Sequence, residues 1–288
     1  MPEKVKIIEC PRDAMQGIKS FIPTERKITY IQSLLGCGFD TIDFGSFVSP
    51  RAIPQMADTA EVLSKLDLSK SKSKLLAIVA NVRGANEASI HPAIDYLGYP
   101  FSISENFQMR NTHKTIVQSI DVLSEILEIA YATNKEVVTY LSMGFGNPYG
   151  DPWSVEVVGE WAEKLANMGT RILSLSDTIG TSTPEDINYL FSHLIPKYPN
   201  VEFGAHLHTT PSRWYEKVNA AYKAGCRRFD GAIQGFGGCP MAKDELTGNM
   251  PTEKMLSYFT ENKVATGVQW MVFEAAYNKA SELFSGYQ

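Results

Sequence analysis

The sequence predicts an α/β chain folded as a (β/α)8 barrel of the TIM type, with an extra helix at its C-terminus. Three observations carry that reading. Strand-like and helix-like patterns alternate from end to end. Several strand-like runs, such as KLLAIVA and EVVTYLSM, are almost continuously apolar, as parallel strands covered on both faces are. Eight such runs fit into 288 residues, which favours a closed barrel over a doubly wound sheet.

In order, the expected strands are Val5–Cys10, Thr41–Phe47, Lys74–Ala80, Phe101–Ser104, Glu136–Met143, Arg171–Ser176, Val201–His208 and Arg227–Gln234. Helices fall between them. After the first strand, Thr24 reads as an N-cap behind Pro23, and Ile28, Ile31, Leu34 and Leu35 form an apolar stripe ending near Gly38. Ser154 opens a helix with Val157, Val158, Trp161, Leu165 and Met168 on one face. Thr183-Pro184-Glu185-Asp186 reads as N-cap, N1 proline and acidic first turn. A weak internal repeat, CGFDTIDF, MGTRILSL and AGCRRFDG, puts Gly38, Gly169 and Gly225 where a helix must end in a left-handed residue before the next strand. Gln269–Phe284 is the added helix. No linker or low-complexity stretch interrupts residues 1–288, so one catalytic domain is expected.

The bulk numbers exclude several function classes. Net charge is −5, which gives no basic field for nucleic acid or an anionic membrane. No run approaches the ~20 apolar residues of a membrane span. The chain enters its first strand pattern at once, with no sign of a targeting peptide. Cys10, Cys37, Cys226 and Cys239 show neither disulfide nor zinc spacing, so a reducing cytoplasm is the expected compartment.

Chemistry in such a barrel belongs to the loops after the strands. His206 and His208 close the seventh strand, and side chains at i and i+2 share a face, so both imidazoles can grip one metal ion. Two ordinary histidines at a strand end are the other reading. Past the first strand stand Arg12, Asp13 and Gln16; Asp13 offers a hard oxygen ligand or a proton carrier, and Arg12 a fixed cationic fork for a developing oxyanion. An exposed loop with a salt bridge would look the same. Asp43 lies inside the second strand, where it either faces the barrel mouth or is a satisfied buried aspartate. The glycine-rich run Met143–Gly150 lacks the G-x-x-x-x-G-K spacing of a nucleotide cradle. After the eighth strand, glycines around Cys239 make a loop that could carry a thiol over the site, or an ordinary turn with an incidental cysteine. Asn249 and Glu253 follow. Asp13, two imidazoles and Asn249 form a mixed nitrogen and oxygen set without sulfur, which suits magnesium or manganese better than zinc. Cys239 then reads as a proton carrier, not a ligand.

These residues together resemble the 3-hydroxy-3-methylglutaryl-CoA lyases, within a wider group of metal-dependent barrel lyases and Claisen-type synthases. The stretches that carry the resemblance are PRDAMQ, SFVSPRAIPQMAD, TAEVL, SDTIG, TSTPED, HLH, GGCP and GNMPTE. The resemblance implies retro-Claisen cleavage of an acyl-CoA to acetyl-CoA and acetoacetate. It implies Asp13, His206, His208 and Asn249 around a divalent cation, with Arg12, Asp13, His206 and Cys239 as the catalytic set. Asp43, Asp177 and Glu253 match acidic positions of the family, and Gln16 joins them beside the cofactor. An acyl-CoA is the implied partner and a homo-oligomer the implied assembly; Asn81, Arg83 and Asn147 are candidate CoA-facing loop residues. The chain departs from the family pattern at Ala14, at Asp43 where the family has glutamate, at Thr209–Ser212, and in the Cys239–Asn249 spacing, one residue longer. Two other readings stand beside this one. One is a lyase or synthase of the same group acting on a related 3-hydroxyacyl-CoA or 2-oxo acid. The other is a barrel that binds metal without catalysis.

Overall fold

A computed structural model describes residues 3–238 and 247–287. Eight strands pair in chain order, each parallel to the next: β1 (Lys6–Glu9), β2 (Thr41–Ser46), β3 (Lys74–Ile78), β4 (Tyr96–Ser102), β5 (Glu136–Ser142), β6 (Ile172–Asp177), β7 (Glu202–Leu207) and β8 (Arg228–Gly231). β8 returns to β1 from Lys6↔Arg228 to Glu9↔Gly231 and closes the barrel. All eight expected strands exist. The fourth starts earlier than its pattern suggests, because Gly98 and Pro100 hide it. β3 pairs with β4 only as far as Ile78↔Gly98, while β5 follows β4 to Ser102. Pro100, which has no N–H to give, therefore sits where the strand has a single ladder partner.

The helices of the wall are α1 (Pro11–Gln16), α2 (Thr24–Leu35), α3 (Thr59–Lys65), α4 (Val82–Ser89), α5 (Glu105–Thr112), α6 (Ile116–Ala132), α7 (Val155–Asn167), α8 (Pro184–Lys197), α9 (Trp214–Lys223), α10 (Thr252–Glu261) and α11 (Trp270–Ser285). Ser154 and Thr183 cap α7 and α8 by accepting from Val157 N and Asp186 N. Thr24 does not cap α2: Pro23 takes that position, and the Thr24 hydroxyl donates to Asp58 instead. Gly38, Gly169 and Gly225 adopt positive φ of 88°, 100° and 101°, as the repeat requires. α11 packs on α2 through an edge-on contact of Tyr30 with Phe284, and Phe284 also stacks on Phe236 in the loop after β8. The added helix thus braces a loop of the barrel mouth.

Alternation along the strands sets two environments. In β7, Phe203, Ala205 and Leu207 join the large apolar layer between sheet and helices. Burying a phenylalanine or leucine side chain in this way contributes ~1.5–3 kcal/mol. Inside the barrel, Leu76, Ile78, Tyr96, Val138, Tyr140 and Ile172 form a separate apolar cluster on the β3–β6 side. On the opposite side, β1, β2, β7 and β8 deliver polar groups to the interior. Among the described residues no helix is long and apolar enough to cross a membrane.

Candidate active site

α1 begins directly at the end of β1, with Pro11 at its first position, so Arg12 and Asp13 are held by helical backbone over the barrel mouth. Arg12 is 7 % exposed and Asp43, inside β2, is 0 %. The Arg12 Nε donates to both Asp43 oxygens at 3.2 and 3.0 Å, and one terminal nitrogen adds a short contact to the same carboxylate. The other terminal nitrogen donates to Asp13 Oδ1 at 2.9 Å. Gln16, one turn on, donates to that same oxygen. The guanidinium is therefore fixed in a planar fork before any substrate arrives. Burial works against its charge, but Asp43 and Asp13 outweigh burial and keep it a cation. Burial pushes Asp43 up to about 6 against the pull of Arg12, so at neutral pH it remains a carboxylate.

Asp13, His206 and His208 meet in one cluster, with ligand atoms all within 4.8 Å of one another. Asp13 Oδ2 and both ring nitrogens of His208 are buried and have no hydrogen-bond partner among the described residues. Orphaned donors and acceptors of this type are costly unless something else takes them, and a hard divalent cation fits the set. The charges agree. Burial raises the Asp13 carboxyl, yet Arg12 and then the two histidines bring it below the usual range. Burial drives His208 down to about 4, which leaves its imidazole neutral and free to ligate at neutral pH. His206 is pulled down by burial and up by Asp230, and the upward pull wins.

His206 Nδ1 lies 3.1 Å from Asp230 Oδ2, so its other nitrogen is the one left for the cluster. A second group, Cys10, His206 and Asp230, is equally compact. It is a poorer metal site, because Asp230 already holds His206 and burial keeps the Cys10 thiol protonated.

Asn249 reaches the cluster along a second backbone path. Thr209 and Gly248 exchange two hydrogen bonds at 2.9 and 3.1 Å, which ties the end of β7 to the segment carrying Asn249. Asn249 donates from Nδ2 to Phe236 O at 2.8 Å, leaving its carbonyl oxygen as the group a cation would take. Gly237 packs so closely here that a Cβ would lie 2.6 Å from Asp13 O and 2.9 Å from Asn249 Nδ2, and its φ is +85°. Only glycine fits. Thr209, where the resemblance expects another residue, does its work through the backbone.

Of the residues singled out by sequence, Arg12, Asp13, Gln16, Asp43, His206, His208 and Asn249 thus converge. Glu253 and Asp177 stand behind them. Glu253 accepts from Gln234 N at 2.9 Å and fixes the loop after β8. Asp177 accepts from Thr181 N, Ser182 N, Ser182 Oγ and Lys217 Nζ, so its oxygens are filled by protein donors. Cys239 lies outside the described residues. Asn81 caps α4, Arg83 pairs with Glu87, and Asn147 folds back on Tyr149 and Asp151.

Sequence reading missed Glu9, Lys217 and Asp230. Asp230 was detectable: it lies two residues after Arg228 in an expected strand, hence on the same face. Glu9 is 0 % exposed at the end of β1, where it accepts from Ile233 N at 2.9 Å and Thr252 Oγ1 at 2.6 Å. It pins the β8 loop and the start of α10 to β1. Burial pushes Glu9 up to about 8. The unfolded chain loses this proton near 4.5 and the folded chain near 8, so the group favours folding fully below 4.5 and loses that contribution as pH rises to 8. A Glu9→Gln protein should therefore show a flatter stability profile between pH 4.5 and 8 than the parent. Denaturant midpoints across that range measure it; parallel profiles would refute the assignment.

Residues 4–278 match the HMGL-like family model. The chain is 33 % identical over 272 residues to hydroxymethylglutaryl-CoA lyase YngG of Bacillus subtilis, covering 93 % of this chain and 89 % of that one. The solved B. subtilis HMG-CoA lyase superposes with a TM-score of 0.91 at 31 % identity, over 98 % of this chain and 94 % of its own. An HMG-CoA lyase from Acinetobacter baumannii, solved with coenzyme A and 3-methylmalate, gives 0.90 at 29 % identity, over 98 % and 92 %.

Proposed function

Since the chain belongs to the HMGL-like family, we propose that it cleaves 3-hydroxy-3-methylglutaryl-CoA to acetyl-CoA and acetoacetate with the help of a divalent cation, magnesium or manganese. One observation carries the proposal: Asp13, His206 and His208 bring their ligand atoms within 4.8 Å of one another beside a locked Arg12, and among the described residues Asp13 Oδ2 and both His208 nitrogens are buried without a partner. Asp13, His206, His208 and Asn249 would hold the cation, which when bound supplies Lewis-acid polarisation of the substrate's hydroxyl and carboxylate oxygens.

The rest falls to the protein's own groups. Retro-Claisen cleavage removes the proton of a tertiary hydroxyl, breaks the C2–C3 bond and leaves an enolate on the thioester. Asp13, whose Oδ1 already accepts from Arg12 and Gln16, or a base beside it takes the hydroxyl proton. Arg12, immobile on Asp43, places fixed positive charge where the thioester oxygen becomes anionic. Its orientation costs nothing at the moment of reaction, because Asp43 has already set it. Cys239 returns a proton to the enolate carbon, in the role the resemblance implies. The whole of 1–288 serves as one catalytic domain, in a cytoplasmic homo-oligomer. Buried free thiols at Cys10, Cys37 and Cys226 suit a reducing compartment.

A coupled assay for acetoacetate release tests the proposal. Turnover should vanish with chelator and return with magnesium or manganese. A folded protein that is inactive on this substrate with either ion would overturn it.

A further inference from the structure

Arg228 is the largest fully buried side chain in the molecule's described part, at 0 % exposure. None of its three guanidinium nitrogens has a hydrogen-bond partner among the described residues. Its nearest countercharge is Glu202 Oε2 at 4.0 Å, a side chain 29 % exposed, and its guanidinium carbon lies 5.7 Å from the Tyr96 ring centroid. Such a group has five donors and, among the described residues, no acceptor within hydrogen-bond distance. Leaving a buried cation so costs far more than leaving a neutral donor.

The surroundings show what it serves. Arg228 and Asp230 are alternate residues of β8, so both face the barrel interior. Asp230 spends Oδ2 on His206 Nδ1, while its Oδ1 is buried and unpartnered. The hydroxyls of Tyr140 and Ser174, on β5 and β6, are buried without partners as well. Gly204 on β7 clears the space: a Cβ there would stand 3.1 Å from Arg228 Cδ and 3.3 Å from Ser174 Oγ. Donors and acceptors of opposite charge that miss one another inside a closed barrel are what ordered water joins.

We propose that Arg228 is a positioning residue for the metal cluster: through bridging water in the barrel interior it fixes the Asp230 carboxylate, and Asp230 in turn fixes the His206 ring. The reading rests on the metal assignment above and extends it by one layer into the barrel. Arg228 touches neither substrate nor cation. It acts at second remove, where supporting partners change metal affinity tenfold to a hundredfold.

The test is manganese binding to metal-free protein, read by electron paramagnetic resonance, which needs no turnover. Arg228→Met should weaken manganese binding about tenfold while circular dichroism shows an intact fold. Arg228→Lys, which keeps a cation and donors, should recover part of the loss and serves where the methionine variant does not fold. Asp230→Asn should weaken binding as well, and in the Arg228→Met background its effect should shrink, since both act on the same ring. A folded Arg228→Met or Arg228→Lys protein that binds manganese as the parent does, or fully additive losses, would overturn the role of Arg228 alone. A parent protein that binds no manganese would overturn the metal assignment with it.

Discussion

Arg12→Gln is expected to lower turnover of the acyl-CoA by about a hundredfold to a thousandfold, the usual loss when one fixed oxyanion donor is removed. The same change should also destabilise the fold by ~3–5 kcal/mol, because Asp43 would be left as an uncompensated buried charge. The two losses are separable. Adding Asp43→Asn to Arg12→Gln removes the stranded carboxylate and should restore much of the stability while leaving turnover depressed. Arg12→Lys keeps the charge but cannot grip Asp43 with a fork, so it should fall between parent and glutamine variant. Denaturant midpoints and steady-state rates, taken on the four proteins, check this. An Arg12→Gln enzyme with parental turnover would remove Arg12 from the chemistry.

That experiment isolates a residue whose place at the barrel mouth was visible in the bare sequence, and the reason is geometric. Arg12 and Asp13 follow a strand end, and His206 and His208 sit two apart on another, so period and position alone aim them at one place. Asp43 was placed in its strand but not assigned to Arg12; a pairing across 31 residues depends on barrel closure, which no local pattern encodes. The β4 start was masked for a different reason. Gly98 and Pro100 read as breakers, and their tolerance rests on unequal pairing with β3 and β5. Glu9 and Lys217 were illegible because both are charged residues fully buried by tertiary contacts, and sequence gives charge a default of solvent exposure. Asp177 was found by resemblance, yet what it holds, a lysine on α9, emerges only from the packing of α9 on the sheet.

Lys217→Met is the other change with a large expected effect, and it shows how far outside the cluster the site is supported. Lys217 is 0 % exposed on α9. Its ammonium donates to Asp177 Oδ2 at 2.6 Å, to Gly180 O at 2.9 Å and to His208 O at 2.8 Å. One cation thus satisfies the loop after β6 and the backbone of His208, a proposed metal ligand, at the end of β7. Methionine fills the same volume but leaves a buried carboxylate without its countercharge and two carbonyls without the lysine donor. The expected cost is ~3–5 kcal/mol, a fall in Tm on the order of 10 °C for a chain of this size. The loss should not be only global. With His208 O released, the β7 end is free to shift by fractions of an ångström, and metal affinity should drop even where the protein remains folded. Adding Asp177→Asn should regain stability by neutralising the stranded charge, but not metal affinity, because the His208 carbonyl still lacks its donor. Thermal melts with and without manganese separate the two effects: the ion should raise Tm less in the Lys217→Met protein than in the parent. An equal rise in both would confine Lys217 to stability and detach it from the site.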